Sequence, residues 1–210
     1  MVAGGTGRRF GGAKQFSLLG GRPVAAWSVT AARSVADGVV LVVPADGEAP
    51  GTDRLGADHT VIGGDTRAES VRAGLASVPD DASVIVVHDA ARPLASPSLF
   101  GAVVARVRAG GAAGAIPVLA VGDTLKRVSG DSVVATVDRE GLVSVQTPKA
   151  FEARALRDAH AGGAEATDDA GLLEERGMTV CTVPGEARNV KITRPDDLEL
   201  AELYLSAVHG

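Results

Sequence analysis

The residue types that could do chemistry are concentrated near the start of the chain, in a loop rich in glycine and cations. Residues 4–16 read GGTGRRFGGAKQF, with five glycines, two arginines and one lysine. Glycine lets backbone N–H groups approach a ligand closely, and successive N–H groups in such a turn form a concavity that binds anions. Arginine and lysine add full positive charge. This composition predicts a loop that binds a polyphosphate.

Two common phosphate-binding loops do not fit this segment. The dinucleotide fingerprint G-x-G-x-x-G fails because Phe10 stands where its third glycine is required. The P-loop fails because Gly12 is followed by Ala13 rather than by lysine and a hydroxyl residue. The remaining pattern, G-x-G-x-R-F with Lys14-Gln15 downstream, resembles the opening signature of nucleotidyltransferases that join a sugar phosphate to a nucleoside triphosphate.

The lysines of this chain are rare, which draws attention to their positions. The sequence contains seventeen arginines but only four lysines: Lys14, Lys126, Lys149 and Lys191. Lysine is a compact charge on a flexible stem, whereas arginine is a rigid fork, so lysine suits the contact with a phosphate that moves during a reaction. Lys14 and Lys191 also have suggestive neighbours, and we interpret both as phosphate-directed.

A second polar block follows an apolar run, at the position where ligands of open α/β sheets bind. Residues 63–70 read GGDTRAES. Asp65 or Thr66 is expected to cap the next helix, and Glu69 completes a capping box with Thr66. This local role explains the polar residues but leaves the double glycine unexplained.

A third polar block, residues 87–93, reads VHDAARP and follows another apolar run. Asp89 comes directly after a buried strand, and Arg92 is three residues further on. This arrangement fits the binding of a metal or a polar substrate. The alternative is an internal Asp89–Arg92 ion pair that holds the loop. We interpret His88 as structural.

Seven blocks in a fixed order closely resemble the 2-C-methyl-D-erythritol 4-phosphate cytidylyltransferases of the non-mevalonate isoprenoid pathway. The resemblance covers essentially the whole chain, and its most specific elements are HDAARP followed by NVKIT. Two departures are Gly4, where the family usually has alanine, and a segment between Arg9 and Lys14 that is shorter than in many members. The blocks are residues 5–15, 63–70, 87–93, 123–126, 137–139, 146–148 and 189–193.

The resemblance implies a reaction and a role for each matching residue. In that reaction the substrate phosphate attacks the α-phosphorus of CTP, and pyrophosphate leaves. The implied nucleotide-binding residues are Ala3, Gly4, Gly5, Thr6 and Gly7 for phosphate and ribose, with Gly64, Asp65 and Ser70 at the cytosine edge. The implied substrate-binding residues are Asp89, Arg92, Thr124 and Thr147, and the implied catalytic cations are Arg9, Lys14, Arg139 and Lys191.

A divalent cation, Mg²⁺ or another, is the expected cofactor because two anionic substrates must be brought together. Mg²⁺ keeps several waters and needs at most one or two carboxylates. No His/Cys cluster or dense acidic set is evident in the sequence, so we expect the metal to be held mainly by the CTP phosphates, with Asp89 as a candidate ligand. Asp168 and Asp169 could be mistaken for a metal pair but fit better as first-turn acids of a helix.

The elements that must position these residues alternate between strand and helix over a single domain, residues 1–210. This alternation is typical of a mostly parallel sheet with helices on both faces, and the resemblance specifies a Rossmann-like nucleotidyltransferase α/β sandwich. Residues 1–3 are too short for a full first strand. Strands are predicted at 38–43, 83–87 and 114–118, and helices at 23–34, 67–76, 97–109 and 195–208.

The stretch from about 121 to 147 breaks the alternation. Residues 126–134 predict a hairpin with its turn at 129–131. Such a hairpin has too little apolar surface to be stable alone, so we expect it to pack on a second subunit. The resemblance implies a homodimer that exchanges these protruding β-arms, with Thr124 and Arg139 reaching the neighbouring site.

The composition limits the remaining function classes. The net charge of −5 argues against a general nucleic-acid or membrane-surface binder. No run of eighteen apolar residues and no signal peptide is evident, so we expect a cytoplasmic protein without membrane partners. The single cysteine, Cys181, lies in an alternating apolar run and predicts a buried strand thiol.

Two alternatives stay open at this point. The nearer one is a ribitol 5-phosphate cytidylyltransferase, a close relative with the same glycine loop and similar blocks. The other is a nucleotide-binding module without turnover. Pyrophosphate release from CTP with each polyol phosphate would distinguish all three functions.

Overall fold

The computed structural model describes residues 1–4, 10, 14–44, 55–165 and 168–209. A short 3₁₀-helix covers Lys14–Phe16. The α-helices are α1 (Val24–Arg33), α2 (Arg67–Leu75), α3 (Pro97–Arg108), α4 (Ala153–His160), α5 (Asp169–Glu174) and α6 (Pro195–His209). The strands are β1 (Leu18–Leu19), β2 (Arg22–Pro23), β3 (Val40–Val43), β4 (His59–Ile62), β5 (Val84–Val87), β6 (Gly114–Ala120), β7 (Leu125–Ser129), β8 (Ser132–Val137), β9 (Val143–Val145), β10 (Lys149–Glu152) and β11 (Val180–Pro184).

The largest sheet has five strands with mixed directions. Its order is β11-β6-β10-β5, and β9 also pairs with β6. Strand β11 runs parallel to β6, but β10 runs antiparallel to both β5 and β6, and β9 runs antiparallel to β6. The α/β class is therefore confirmed, whereas this sheet contains more antiparallel pairing than the predicted mostly parallel arrangement.

Helices cover both faces of this sheet because side chains alternate along its strands. On β10, Phe151 packs with Leu156 of α4 and Leu172 of α5 in one buried cluster. The adjacent Ala150 packs on the other face with Val103 and Val107 of α3. Alternate residues of one strand face opposite sides, so one short strand serves two cores.

The first residues of the chain join the parallel pair β3–β4 to the larger sheet. Val2 forms single-residue parallel bridges to Val42 of β3 and to Asp89 just beyond β5. Its N–H donates to the His88 carbonyl at 2.8 Å, and the Ala3 N–H donates to the Val42 carbonyl at 2.8 Å. The predicted incomplete first strand is thus reduced to these bridges, which bring the start of the glycine loop to the end of β5.

The helix starts follow local capping chemistry. The Thr66 hydroxyl accepts from the Glu69 N–H while the Glu69 carboxylate accepts from the Thr66 N–H, which confirms the predicted capping box at α2. Ser96 caps α3, with Pro97 at the first helical position. The sequence predicts Pro23 as the first residue of α1, but its extended backbone (φ −54°, ψ 138°) places it before the helix, as the N-cap.

The stretch that breaks the alternation forms the predicted hairpin. Strands β7 and β8 pair antiparallel, and Gly130 turns between them with φ +59°, a conformation that favours glycine. The hairpin leaves the sheet after β6 and returns through β9, whose Val145 pairs with Val118. Nearly all of its side chains are exposed.

Candidate active site

A cluster of opposite charges lies at the carboxyl end of β5. The Lys191 ammonium contacts Asp89 Oδ2 at 2.6 Å, and the Arg67 Nε lies 3.7 Å from Asp89 Oδ1. Burial alone would raise the pKa of Asp89, but the two cations outweigh it and hold that pKa well below its usual range. We call Arg67, Asp89 and Lys191 the Asp89 cluster. At neutral pH it carries an ionised carboxylate between two cations.

The loop that carries Lys191 is fastened to the loop after β5. The Ile192 N–H donates to the Ala91 carbonyl at 2.9 Å, and the Arg92 guanidinium donates to the Asn189 carbonyl at 2.8 Å. Ile192 is fully buried. Blocks 87–93 and 189–193, about 100 positions apart, therefore form one surface. Arg92 is used in this fastening, and the alternative Asp89–Arg92 ion pair is not formed because Asp89 pairs with Arg67 and Lys191 instead.

Block 146–148 forms the underside of the same surface. The Asn189 side-chain amide donates to the Thr147 carbonyl at 2.9 Å, and the Gln146 amide donates to the Glu186 carbonyl at 2.9 Å. Asn189 and Gln146 are both buried. Because each of these side-chain amides donates to a backbone carbonyl, the two hydrogen bonds fix the position of the Lys191 loop.

His88 is structural, as predicted, and its hydrogen bonds assign its tautomer. Its Nε2 lies 3.2 Å from the Arg92 carbonyl, which can only accept, so Nε2 carries the hydrogen. Its Nδ1 then accepts from the Thr147 hydroxyl at 3.0 Å, and that hydroxyl accepts from the Asp89 N–H at 3.1 Å. Burial lowers the pKa of His88 to about 3, so the imidazole is neutral. Thr147 is buried, and its hydroxyl steadies the backbone of Asp89.

Two predicted nucleotide-binding segments meet beside this cluster. An ideal Cβ at Gly63 would lie 2.5 Å from Ser70 Oγ, and one at Gly4 would lie 3.0 Å from the same atom. A Cβ at Gly64 would lie 2.3 Å from Glu69 Cβ. The double glycine therefore lets the chain pass directly over the start of α2. Ser70 is buried there, with its hydroxyl 3.4 Å from the Gly64 carbonyl.

The remaining nucleotide-binding predictions lie at the edges of this junction. Ala3 is buried at the end of the first segment, and Asp65 is exposed. Lys14 is half-buried in the 3₁₀-helix, beside the buried Gln15. Four predicted site residues lie outside the described residues: Gly5, Thr6, Gly7 and Arg9.

The two predicted site residues of the arm lie apart from the Asp89 cluster. Thr124 and Arg139 are exposed. The Arg139 guanidinium donates to the Gly122 carbonyl of its own arm. Within the described ranges, neither side chain forms a hydrogen bond or ion pair with Asp89 or Lys191.

Sequence reasoning missed the charged residues behind the Asp89 cluster. Arg67 Nη2 donates to Asp169 Oδ2 at 2.7 Å, and His160 Nε2 lies 3.1 Å from Asp169 Oδ1. Asp168 caps α5 as expected, and it also pairs with the buried Lys149. Asp169 lies in the first turn of α5, as predicted, but the sequence did not predict its burial, in which Arg67 and His160 satisfy its carboxylate. The rarity of lysine pointed to Lys149, but nothing in the sequence pointed to Arg67.

The described residues contain no group of three or more His, Cys, Asp or Glu side chains that could hold a metal ion. Asp89 already pairs with Lys191 and Arg67, so it could serve as one ligand of a metal ion held mainly by other groups. None of the helices in the described part of the chain has the length and apolar character needed to cross a membrane.

Comparisons with known proteins give one consistent family. Residues 1–207 match the family 2-C-methyl-D-erythritol 4-phosphate cytidylyltransferase, IspD. The enzyme of that name from Nocardia farcinica is 44% identical, with 98% of this chain and 92% of the relative aligned. A bifunctional IspD/IspF enzyme from Solidesulfovibrio magneticus is 42% identical over 96% of this chain but only 56% of its own length.

The fold gives the same result as the sequence. The crystal structure of 2-C-methyl-D-erythritol 4-phosphate cytidylyltransferase from Thermus thermophilus superimposes with a TM-score of 0.84 at 36% identity. The superposition covers 98% of this chain and 96% of that chain. The chain is therefore similar to proteins of this family both in sequence and in the path of its backbone, over nearly its whole length.

Proposed function

This chain belongs to the 2-C-methyl-D-erythritol 4-phosphate cytidylyltransferase (IspD) family, and so transfers CMP from CTP to 2-C-methyl-D-erythritol 4-phosphate. We propose that its active site lies between the Asp89 cluster and the place where Gly4 meets Ser70. The comparisons favour this activity over a ribitol 5-phosphate enzyme or a module without turnover. The observation that carries the placement is the close approach of Gly4 and Gly63 to the same Ser70 hydroxyl, next to the Val2–Asp89 bridge.

The polyol phosphate is proposed to bind over the Asp89 cluster, in contact with Asp89, Arg92, Thr147 and Lys191. Lys191 is 43% exposed at its side chain, so its ammonium can contact a phosphate while remaining beside Asp89. The ionised Asp89 accepts hydrogen bonds from substrate hydroxyls. Nucleotidyl transfer requires little covalent chemistry from the protein, so orientation of the attacking phosphate and neutralisation of its charge supply the rate.

The nucleotide is proposed to lie along the first loop, with its base against the start of α2. Ala3 to Gly7 bind phosphate and ribose, and Gly64, Asp65 and Ser70 read the cytosine edge. The exocyclic amine of cytosine is a hydrogen-bond donor, whereas uracil has a carbonyl there, so an acceptor at this position selects CTP. Arg9 and Lys14 are proposed to hold the α-phosphate as negative charge grows on it.

A divalent cation such as Mg²⁺ fits this site as a companion of the nucleotide. Mg²⁺ is held by one or two carboxylates together with substrate phosphates, and the Asp89 cluster offers one carboxylate. Asp89 is the residue proposed to contact it. When bound, the ion neutralises phosphate charge, and the protein cations Lys14 and Lys191 act on the same two anions from the protein side.

The enzyme is proposed to be a cytoplasmic homodimer in which each arm, residues 121–147, completes the neighbouring active site. Apolar side chains on the arm are exposed, including Val128 (58%), Val133 (62%) and Val134 (58%). An isolated two-stranded hairpin is marginal in water, so a covering partner stabilises it. Thr124 and Arg139 then contact the polyol phosphate of the other subunit, in agreement with their separation from their own Asp89 cluster.

The test measures pyrophosphate release from CTP and Mg²⁺ with 2-C-methyl-D-erythritol 4-phosphate and with ribitol 5-phosphate in parallel. We expect turnover with the first and little with the second.

UTP in place of CTP should be a poor substrate, because a site built around a hydrogen bond rejects an analogue that lacks it. Asp65→Ala should narrow the difference in turnover between the two nucleotides. Equal use of both nucleotides by the unaltered enzyme would remove the proposed base site.

A further inference from the structure

A chain of charged groups runs from the buried Asp169, through the partly exposed Arg67, to Asp89. The Asp169 side chain is only 1% exposed, and each of its oxygens has one partner: His160 Nε2 on Oδ1 at 3.1 Å and Arg67 Nη2 on Oδ2 at 2.7 Å. The same guanidinium presents its Nε to Asp89 Oδ1 at 3.7 Å. Arg67 therefore lies between two carboxylates that are far apart in the sequence.

The energetic cost of this arrangement indicates that it is more than a stabilising contact. A carboxylate without solvent is expensive to bury, and buried ion pairs are often no more stable than apolar residues of similar volume. Hydrogen bonds from His160 and Arg67 nonetheless overcome the effect of burial and hold the pKa of Asp169 below its usual value. Asp169 is therefore ionised and fixed in position, and it can influence the active site only by holding Arg67.

The anchor fixes the direction of a forked side chain. The planar guanidinium of arginine places its donors in a rigid geometry, so a hydrogen bond at Nη2 determines where Nε points. In this structure Nε lies 3.7 Å from Asp89 Oδ1, an ion-pair distance longer than a hydrogen bond, while Lys191 contacts Oδ2 at 2.6 Å. Both oxygens of Asp89 are thereby oriented, one from the core side and one from the substrate side.

We propose that Arg67 is a positioning residue for the cytidylyl transfer, held by Asp169 and His160, and that it orients the Asp89 carboxylate toward the polyol phosphate. This inference rests on the proposed role of Asp89 in substrate binding. In the proposed arrangement Arg67, Asp169 and His160 do not contact the substrate. They act on the reaction only through Asp89.

The kinetic test is a double-mutant cycle between Asp169 and Asp89. Asp169→Asn keeps the volume but turns an amide donor toward Arg67 or His160. We expect about a tenfold loss of kcat/KM for the polyol phosphate, with the KM for CTP within about twofold, in line with couplings inside one network. In an Asp89→Asn background the same change should cost almost nothing. Equal losses in both backgrounds would show a general structural effect and overturn the proposal.

Two controls make the result specific. Asp58→Asn breaks the Arg33–Asp58 pair, which has the same 2.7 Å contact but lies on the surface, and should leave the kinetics unchanged. Arg67→Lys keeps the charge without the fork and should restore only part of the activity lost in Arg67→Ala. Full rescue by lysine would contradict orientation through the guanidinium plane.

A measurement without catalysis separates this inference from the proposed function. Urea unfolding of the Arg67→Ala and Asp89→Asn single and double variants gives the coupling between the two side chains. We expect that coupling to be present when Asp169 is unaltered and to fall at least about threefold, as a ratio of unfolding constants, when the cycle is repeated in an Asp169→Asn background. An unchanged coupling overturns the inference, whereas absence of pyrophosphate release from the unaltered enzyme overturns the proposed function alone.

Discussion

The Asp89 cluster and the arm contain predicted site residues that are held in opposite ways. Asp89 and Lys191 lie on loops that are fastened to each other and to block 146–148 by buried hydrogen bonds. Thr124 and Arg139 lie on an exposed hairpin whose valines face solvent. The first region is held together by residues of a single chain, whereas the apolar surface of the second is exposed and is covered only in the proposed dimer.

The largest expected effect comes from breaking the first region at Lys191. Lys191→Ala removes the ammonium that contacts both Asp89 and, in the proposed complex, the substrate phosphate. Loss of one group that stabilises developing charge typically costs about 10²–10³ in rate, and we expect kcat to fall by that order. Steady-state kinetics with Arg154→Ala as control measures this, since Arg154 is 94% exposed at its side chain. A loss under about threefold would exclude the role of Lys191.

The proposed role of the arm across a dimer can be tested by mixing two inactive variants. Lys14→Ala and Arg139→Ala should each be nearly inactive, because each removes a proposed catalytic cation from every site. After mixing and subunit exchange, about half of the dimers are mixed, and in a two-fold dimer one of the two sites in each is intact. We therefore expect about a quarter of the unaltered activity to return.

The complementation result decides on which subunit Arg139 acts. If Arg139 served its own subunit, every site in a mixed dimer would carry one defect and no activity would return. Native mass spectrometry of the mixture verifies that exchange took place. Background activity in an exchanged mixture would contradict arm exchange.

Sequence reasoning succeeded where the chemistry is local and failed where partners are distant. Thr66 and Glu69, three residues apart, were enough to predict the cap of α2, and Gly130 marked the turn of the arm. Arg67 and Asp169 meet across 102 positions, and no spacing rule connects them. Strand β10 was not predicted because its residues, Lys149–Glu152, form no continuous apolar run and follow a proline.

Two residues of the Asp89 cluster were predicted from the sequence, Asp89 because it follows a strand and Lys191 because lysine is rare, but the contacts around them were not predicted. Asp89 was identifiable as a polar residue after a buried strand. Its true partners depend on which loops the sheet order brings together, so the sequence left an Asp89–Arg92 pair as an alternative. The roles of Gln146 and Asn189 in seating the Lys191 loop likewise depend on tertiary contacts.

A smaller effect is expected on stability: the free energy of unfolding should depend on pH because His88 is buried. His88 has a folded pKa of about 3, far below its ordinary value near 6.5. Above pH 6.5 both folded and unfolded states are neutral at this residue, and as the pH falls below 6.5 the unfolded state binds the proton first. Unfolding free energy should therefore decrease by about 2 kcal/mol between pH 6.5 and pH 5.

Denaturant unfolding at the two pH values tests the His88 prediction. His88→Gln should remove most of the dependence in this window, which lies above the range where Asp89 and Asp169 take up protons. The Met1 amino group, whose pKa burial lowers to about 6, accounts for a smaller part of it. His59→Asn changes an exposed histidine and should leave the dependence as it is. The same slope in the unaltered chain and in His88→Gln would show that another group is responsible.

The smallest change in subunit stability is expected for a substitution on the exposed arm, unlike substitutions in the buried region. Val133 is 62% exposed on β8, so Val133→Lys should change the unfolding free energy of an isolated subunit by no more than about 0.5 kcal/mol. In the proposed dimer the same side chain is covered, and a buried lysine without a partner weakens association. Sedimentation velocity over a concentration series should show a shift toward monomer. An unchanged dimer would mean that Val133 lies outside the interface, whereas a large loss of stability in the monomer would mean that the arm packs on its own subunit.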